Sequence, residues 1–314
     1  MGYGIAAGMF WALETVLIGA ALRCAPFLSS DQAILLAPFV STFLHDFCSA
    51  LWISIFNLIK GEWKNSFAAL KNPDGRIAAL AALIGGPVGM TGYVLAVNNL
   101  GASLGAVASA VYPAIGSVLA YFVLKERMRW YRWIFLILTM AGVYGLSYSP
   151  GAQSGNYIFG VIGALMCSFG WGTEAVILAK CMKSQNITQT NILQIRQTTS
   201  ALAYAAIILP VVKGWSFTLD LIKSDYITVL PLVAAAALCA TISYLFYYRS
   251  ISKIGASKSM ALNITYAAWA MVFNLIIFKD KSMLNPLSVI CTVVVIISGI
   301  MAAADFKELI KKRS

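Results

Sequence analysis

Five ionisable side chains fall inside long apolar runs: Glu14, His45, Asp46, Glu174 and Arg196. A charge at the depth of a bilayer is costly, so such residues face a cavity or a partner and mark binding sites or proton paths. Glu174 is the only ionisable residue at mid-depth in the run from Tyr157 to Ala179, and Trp171 stands one helical turn before it. That spacing puts indole and carboxylate on one helix face, and a carboxylate beside an aromatic ring is a pairing that receives an organic cation. Glu174 therefore reads as a counter-charge, the alternative being a buried partner of Arg196. His45, the single histidine, has an unperturbed pKa of about 6.5. His45, Asp46 and Glu174 are the candidates for carrying a proton. His45 and Asp46 are neighbours that project about 100° apart on a helix and need not touch. Glu14 and Arg196 are expected to form a structural ion pair, because a guanidinium lining a cation pocket needs a carboxylate to hold it.

Deeply placed aromatic residues surround these charges in sequence. Trp11, Tyr112, Trp171, Tyr244, Tyr247, Tyr266 and Trp269, with Glu174, are the expected binding residues. Trp and Tyr rings around a carboxylate make a cage for a quaternary ammonium, which is held by cation–π contact.

The elements that must position these residues are membrane helices. Of the 314 residues, 60% are hydrophobic and 11% charged, far more apolar surface than a soluble domain of this size buries. Apolar runs of about 20 residues, enough to span a bilayer, cover Tyr3 to Ala21, Ala33 to Ile59, Ile77 to Val97, Ser103 to Leu124 and Trp130 to Tyr148. Five more cover Tyr157 to Ala179, Thr190 to Val212, Tyr226 to Tyr248, Ser259 to Phe278 and Pro286 to Ala304. The expected fold is thus an all-α integral membrane protein of ten transmembrane helices. The first run lacks a basic leader and reads as a retained helix. The six cysteines lie mostly in apolar runs without a CxxC pair and read as small hydrophobes.

Charge sets the orientation. With an even number of spans, the loops on the side of the termini hold most of the 23 Lys and Arg residues. The opposite side holds only Arg23, Lys213, Lys223, Lys279 and Lys281. Both termini are therefore expected in the cytoplasm. The net charge of +11 follows from this topology and gives no support to nucleic-acid binding.

Motifs recur between the halves. Trp11-x-x-Glu14-x-Val16 returns as Trp171-x-x-Glu174-x-Val176, and His45-Asp46 before Ser49-Ala-Leu51 corresponds to Arg196-Gln197 before Ser200-Ala-Leu202. Gly101-Ala-Ser103 precedes Tyr112 by the interval at which Gly255-Ala-Ser257 precedes Tyr266. The chain divides into a first repeat, residues 1–150, and a second, 151–314. An odd number of spans in each half makes a 5+5 inverted-topology repeat, the plan of secondary transporters with a midplane site at the repeat interface. Gly85-Gly86-Pro87-Val-Gly89-Met90 and Pro113 are expected to interrupt or kink their helices, as suits a hinge.

These stretches also carry a resemblance. With Phe122-Val-Leu-Lys-Glu-Arg127 closing the fourth helix and Gly142 in the fifth, the pattern resembles the EamA-like drug/metabolite transporter superfamily. Within it the chain is similar to the LicB-type bacterial choline transporters, through His45-Asp46-Phe47, Gly86-Pro87-Val88-Gly89-Met90, Ser109 to Ile115, Trp171-Gly-Thr-Glu174, Ile195-Arg196-Gln197, and Asn263-Ile-Thr-Tyr266 with Trp269. The resemblance implies proton-driven uptake of choline by alternating access across a bacterial cytoplasmic membrane, in organisms that use choline to make phosphocholine for surface glycans. It implies a pocket in which aromatics and Glu174 surround the trimethylammonium group, with choline or a similar cation, protons and the bilayer as partners, and no cofactor. Glu14 departs from the family pattern, which has a small residue there; a second carboxylate would widen the substrate range or alter coupling. An exporter of amino acids or cationic drugs on the same fold is the alternative. With a lone histidine and no metal or phosphate-binding motif, the chain does not read as an enzyme.

Overall fold

The apolar runs fold as helices whose first turns are set by ordinary capping chemistry. The computed structural model describes residues 1–148, 156–184, 187–223, 229–279 and 284–305, and the side chains at 102–104 and 106–108 lie outside that description. Its principal helices are α1 (Gly2–Leu22), α2 (Asp31–Ile59), α3 (Pro73–Gly101), α4 (Ser109–Leu124) and α5 (Trp130–Ser147), followed by α6 (Tyr157–Lys183), α7 (Gln189–Val211), α8 (Val229–Ile254), α9 (Ala256–Phe278) and α10 (Pro286–Ala303). All regular structure among the described residues is helical. Ser30, Asn156, Thr188 and Asn285 accept hydrogen bonds from the first amides of α2, α6, α7 and α10, and proline opens α3 and α10, as helix starts favour. Tyr226, Lys281, Lys307, Lys311, Lys312, Arg313 and the boundary at 150/151 lie outside the described residues.

Among the described residues eight helices are long and apolar enough to cross a membrane. α4 is a shorter apolar helix, and α5, of 18 residues, carries Arg132. Their outer faces leave large apolar side chains uncovered, such as Phe122, Ile158 and Ile290. A multi-pass membrane protein presents such faces to lipid.

Contacts between distant helices place the site. α1 lies against α8 and α9, α2 against α7 and α8, α3 and α4 along α6, and α5 beside α10. The α6 packing uses small residues, as close approach in a membrane requires. A Cβ on Gly163 would press on the Gly92 carbonyl, and one on Gly172 on the backbone at Gly116.

Two backbone features recur 154 positions apart. Gly101 and Gly255 have φ/ψ of 83°/165° and 91°/164°, a region that a Cβ disfavours. Lys125 and Lys279 close α4 and α9 in the left-handed conformation. The helix running on from α3 into α4 breaks at Gly101, and Pro113 lies inside α4. The expected interruption in α3 is a π-helical segment, Ile84–Val88. In α9 the turn at Ile264 and Thr265 precedes Tyr266.

Candidate functional site

The five mid-membrane ionisable residues come from four helices and meet as one connected cluster. α7 places Arg196 beside α6, where its Nε donates to Glu174 Oε1 at 2.9 Å. Its Nη1 donates to Gln197 Oε1 at 2.8 Å and stands 3.9 Å from Asp46 Oδ1. Ser200, one turn further along α7, donates to Asp46 Oδ2 at 2.6 Å. His45 Nδ1 lies 3.0 Å from Asp46 Oδ1, and its Nε2 lies 3.6 Å from Glu14 Oε1 on α1. Asp46, Glu174 and Arg196 are each no more than 6% exposed. Buried charges persist when they are paired and hydrogen-bonded; the pairs are made here, while His45 Nε2 has no hydrogen-bond partner among the described residues.

The pairing corrects one expectation. Arg196 bonds to Glu174 and approaches Asp46, while Glu14 stands against His45, so the expected Arg196–Glu14 ion pair is replaced by two separate pairs. Helix packing decides this: α7 lies against α2, and α1 reaches the cluster through α2's His45. His45 and Asp46 do touch, because their side chains bend towards each other across the 100° between them.

Beside the charges opens a cavity of about 480 Å³, within the range of small-molecule sites. Trp11, Tyr112, Trp171, Tyr244, Tyr247 and Tyr266 line it, as do Glu14, His45, Asp46, Glu174 and Arg196. Trp269 is half-buried and outside the lining, one turn beyond Tyr266. Residues not expected there include Tyr93, Tyr248, Thr42 and Asn98, and Asn263 from the Asn263-Ile-Thr-Tyr266 stretch. Asn263, a polar side chain just before the break in α9, donates to the Tyr112 hydroxyl at 3.2 Å; the signal available in the sequence was an amide side chain three residues before Tyr266 within an apolar run. Tyr248 gave none, since adjacent tyrosines Tyr247 and Tyr248 point in different directions on a regular helix.

The aromatic rings form two groups. Trp11 meets Tyr244 edge-on at 5.2 Å and Tyr266 at 6.4 Å, one turn from Glu14. Trp171 stacks with Tyr93 at 5.8 Å and meets Tyr112 edge-on at 6.1 Å, one turn from Glu174. The Arg196 guanidinium lies 4.7 Å from the centre of the Tyr244 ring and occupies one face of it.

The π-helical segment of α3 orients the second group. Trp171 Nε1 donates to the Gly85 carbonyl at 3.0 Å, and a Cβ on Gly85 would overlap the Glu174 carboxylate. Such segments commonly sit at functional sites. Gly85→Ala is expected to displace Glu174 from Arg196 and destabilise the protein by about 1–3 kcal/mol, the usual cost of overpacking. Thermal unfolding in detergent checks this; an unchanged midpoint would mean that Glu174 shifts without loss. Among the described residues no group of three or more His, Cys, Asp or Glu is placed to hold a metal ion.

Comparison with known proteins agrees with this architecture. Protein LicB of Haemophilus influenzae is 28% identical over 305 residues, covering 97% of each chain. One solved crystal structure superposes with a TM-score of 0.67 at 16% identity, covering 96% of each chain, a likeness of fold. The EamA-like transporter family matches residues 1–148 and 158–303. A cavity lined by buried charges at the meeting of apolar helices is what a carrier of small molecules needs, and with both stretches matched the chain belongs to the EamA-like transporter family.

Proposed function

We propose that this protein is a proton-coupled importer of choline or a closely related quaternary ammonium, working by alternating access. The observation that carries the reading is the composition of the cavity. Two tryptophans and several tyrosines surround a cluster of three carboxylates, one guanidinium and one imidazole. With His45 neutral the cluster carries two negative charges in excess. One cation from the substrate and one proton on His45 bring it to neutrality, and a neutral cavity is the cheapest to close off from water. That favours symport of one proton with each cation. His45, between Glu14 and Asp46, is the proton site in this reading.

The counter-charge shifts with the geometry. Glu174 is held by Arg196, whereas Glu14 pairs with His45 and accepts from the Thr15 hydroxyl, so Glu14, with Trp11 and Tyr266 close by, is the principal partner of the cation. Glu174 and Arg196 set the electrostatics and shape of the opposite wall. The choline assignment itself draws on the motif resemblance together with this cage.

The matched stretches 1–148 and 158–303 and the recurring Gly101/Gly255 and Lys125/Lys279 conformations support ten spans in a 5+5 inverted repeat, with halves 1–150 and 151–314. Tyr3 lies under Arg249 and Lys253 at the end of α8, and Asp305 pairs with Arg132 at the start of α5. Both described ends then share one face, which the loop charges assign to the cytoplasm of a bacterial cell. Transport without chemical change of the substrate is the activity proposed.

Uptake of labelled choline into proteoliposomes tests this. Inward pH and voltage gradients are each expected to drive accumulation, and a reversal potential matching one proton per choline is expected. Absence of uptake overturns the reading; uptake driven by voltage alone overturns its proton part.

A further inference from the structure

A second cavity, of about 370 Å³, lies away from the transport site, where the end of α4 and the start of α5 meet the loop between α8 and α9. Arg127, Arg129, Arg132 and Lys258 line it against only Glu126 and Asp305. Both carboxylates are already engaged. Glu126 accepts hydrogen bonds from the Ala256 and Ser257 amides at 2.9 and 3.0 Å and from the Ser257 hydroxyl at 2.9 Å. Asp305 is held by Arg132 at 3.3 Å and Arg129 at 3.8 Å. Arg127 and Lys258 have no counter-ion within ion-pair distance among the described residues. Among the described residues the cavity therefore carries about two positive charges in excess.

Its surroundings are those of a membrane interface. Phe122 and Val123, just before the α4 terminus, are 64% and 44% exposed, and Trp130, beside Arg129, is 75% exposed. Exposed tryptophan next to basic residues is characteristic of the headgroup level of a bilayer, and the apolar side chains continue from the cavity rim down the helix. A ligand that places a phosphate among Arg127 and Lys258 and acyl chains along Phe122 and Val123 satisfies both features.

We infer that this cavity binds the phosphate of an anionic phospholipid from the adjoining leaflet. Basic pockets between membrane helices are suited to such headgroups. The lipid would sit on the joint where Glu126 of the first half caps α9 of the second, and so would bind where the halves meet.

The test uses the full chain, delipidated in detergent and titrated with phosphatidylglycerol, phosphatidylcholine or inorganic phosphate, with bound ligand counted by native mass spectrometry. The parent is expected to retain one tightly held phosphatidylglycerol and to discriminate against phosphatidylcholine. Arg127→Gln with Lys258→Gln is expected to weaken that site about 30-fold, the factor that two interfacial basic side chains contribute. Lys258→Gln alone is expected to weaken it about fivefold, and this variant serves if the double one does not fold. Arg127→Lys with Lys258→Arg is expected to keep it. Parental phosphatidylglycerol affinity in the Gln variants overturns the inference. So does inorganic phosphate binding with no preference for the lipid, which would make this a site for a free anion.

Discussion

Arg196→Met is expected to destabilise the protein by about 3–5 kcal/mol, the typical cost of removing one partner of a buried ion pair. The guanidinium bonds to Glu174, approaches Asp46, donates to Gln197 and lies over Tyr244. Its loss leaves two carboxylates buried without that cation, and an unpaired buried charge is costly. Removing the Glu174 charge as well relieves part of the penalty. The double variant Arg196→Met with Glu174→Gln is therefore expected to be more stable than Arg196→Met alone, with a coupling of at least about 1 kcal/mol. Thermal or denaturant unfolding in detergent measures both. A single variant as stable as the parent, or two effects that simply add, would show that the pair contributes little to the fold.

Glu14→Gln is expected to act on transport and to spare the fold. Among the described residues Glu14 has no arginine partner, and its contacts are His45 Nε2 at 3.6 Å and the Thr15 hydroxyl at 3.2 Å. Neutralising it removes the carboxylate most available to a cation while Arg196 and Glu174 stay paired. A charge-assisted contact is worth about 1.5–3 kcal/mol, so choline affinity is expected to fall about 10- to 100-fold. Coupling is expected to suffer too, because the remaining charge balances a proton or a cation and not both. Glu174→Gln, by contrast, is expected to lower thermal stability more than affinity. Choline binding and pH-driven uptake, measured beside unfolding midpoints for the two variants, separate these roles. A larger loss of binding in Glu174→Gln at parental stability would return the counter-charge to Glu174.

Both expectations depend on pairings that no local pattern contains. Trp171 and Glu174 are legible as a same-face pair because the α-helical period is known before any tertiary contact forms. The charged residues of α1, α2, α6 and α7 are likewise conspicuous, because a charge within an apolar run stands out whatever it touches. Their partners lie far apart in the chain, and the choice of Arg196 between Glu14 and Glu174 rests on how α7 packs against α2 and how closely α6 approaches α3 at Gly85. Trp269 and Tyr248 make the same point. Membership of the cavity depends on helix rotation and on the turn at Ile264 and Thr265, and a difference of one turn moved Trp269 out of the lining while Tyr248 came in.

What the amino-acid sequence by itself determined is the class of molecule and the inventory of its site: apolar helices with repeated motifs, a handful of buried charges and a set of deep aromatic rings. Hydrophobicity and helical period act over a few turns, so one chain read alone reveals them. Only the tertiary structure decided that Arg196 neutralises Glu174, that His45 joins Glu14 to Asp46, and that a basic cavity opens beside the Glu126 cap. Those outcomes are set by distances between helices remote in sequence, and a pairing of charges is an energy of position.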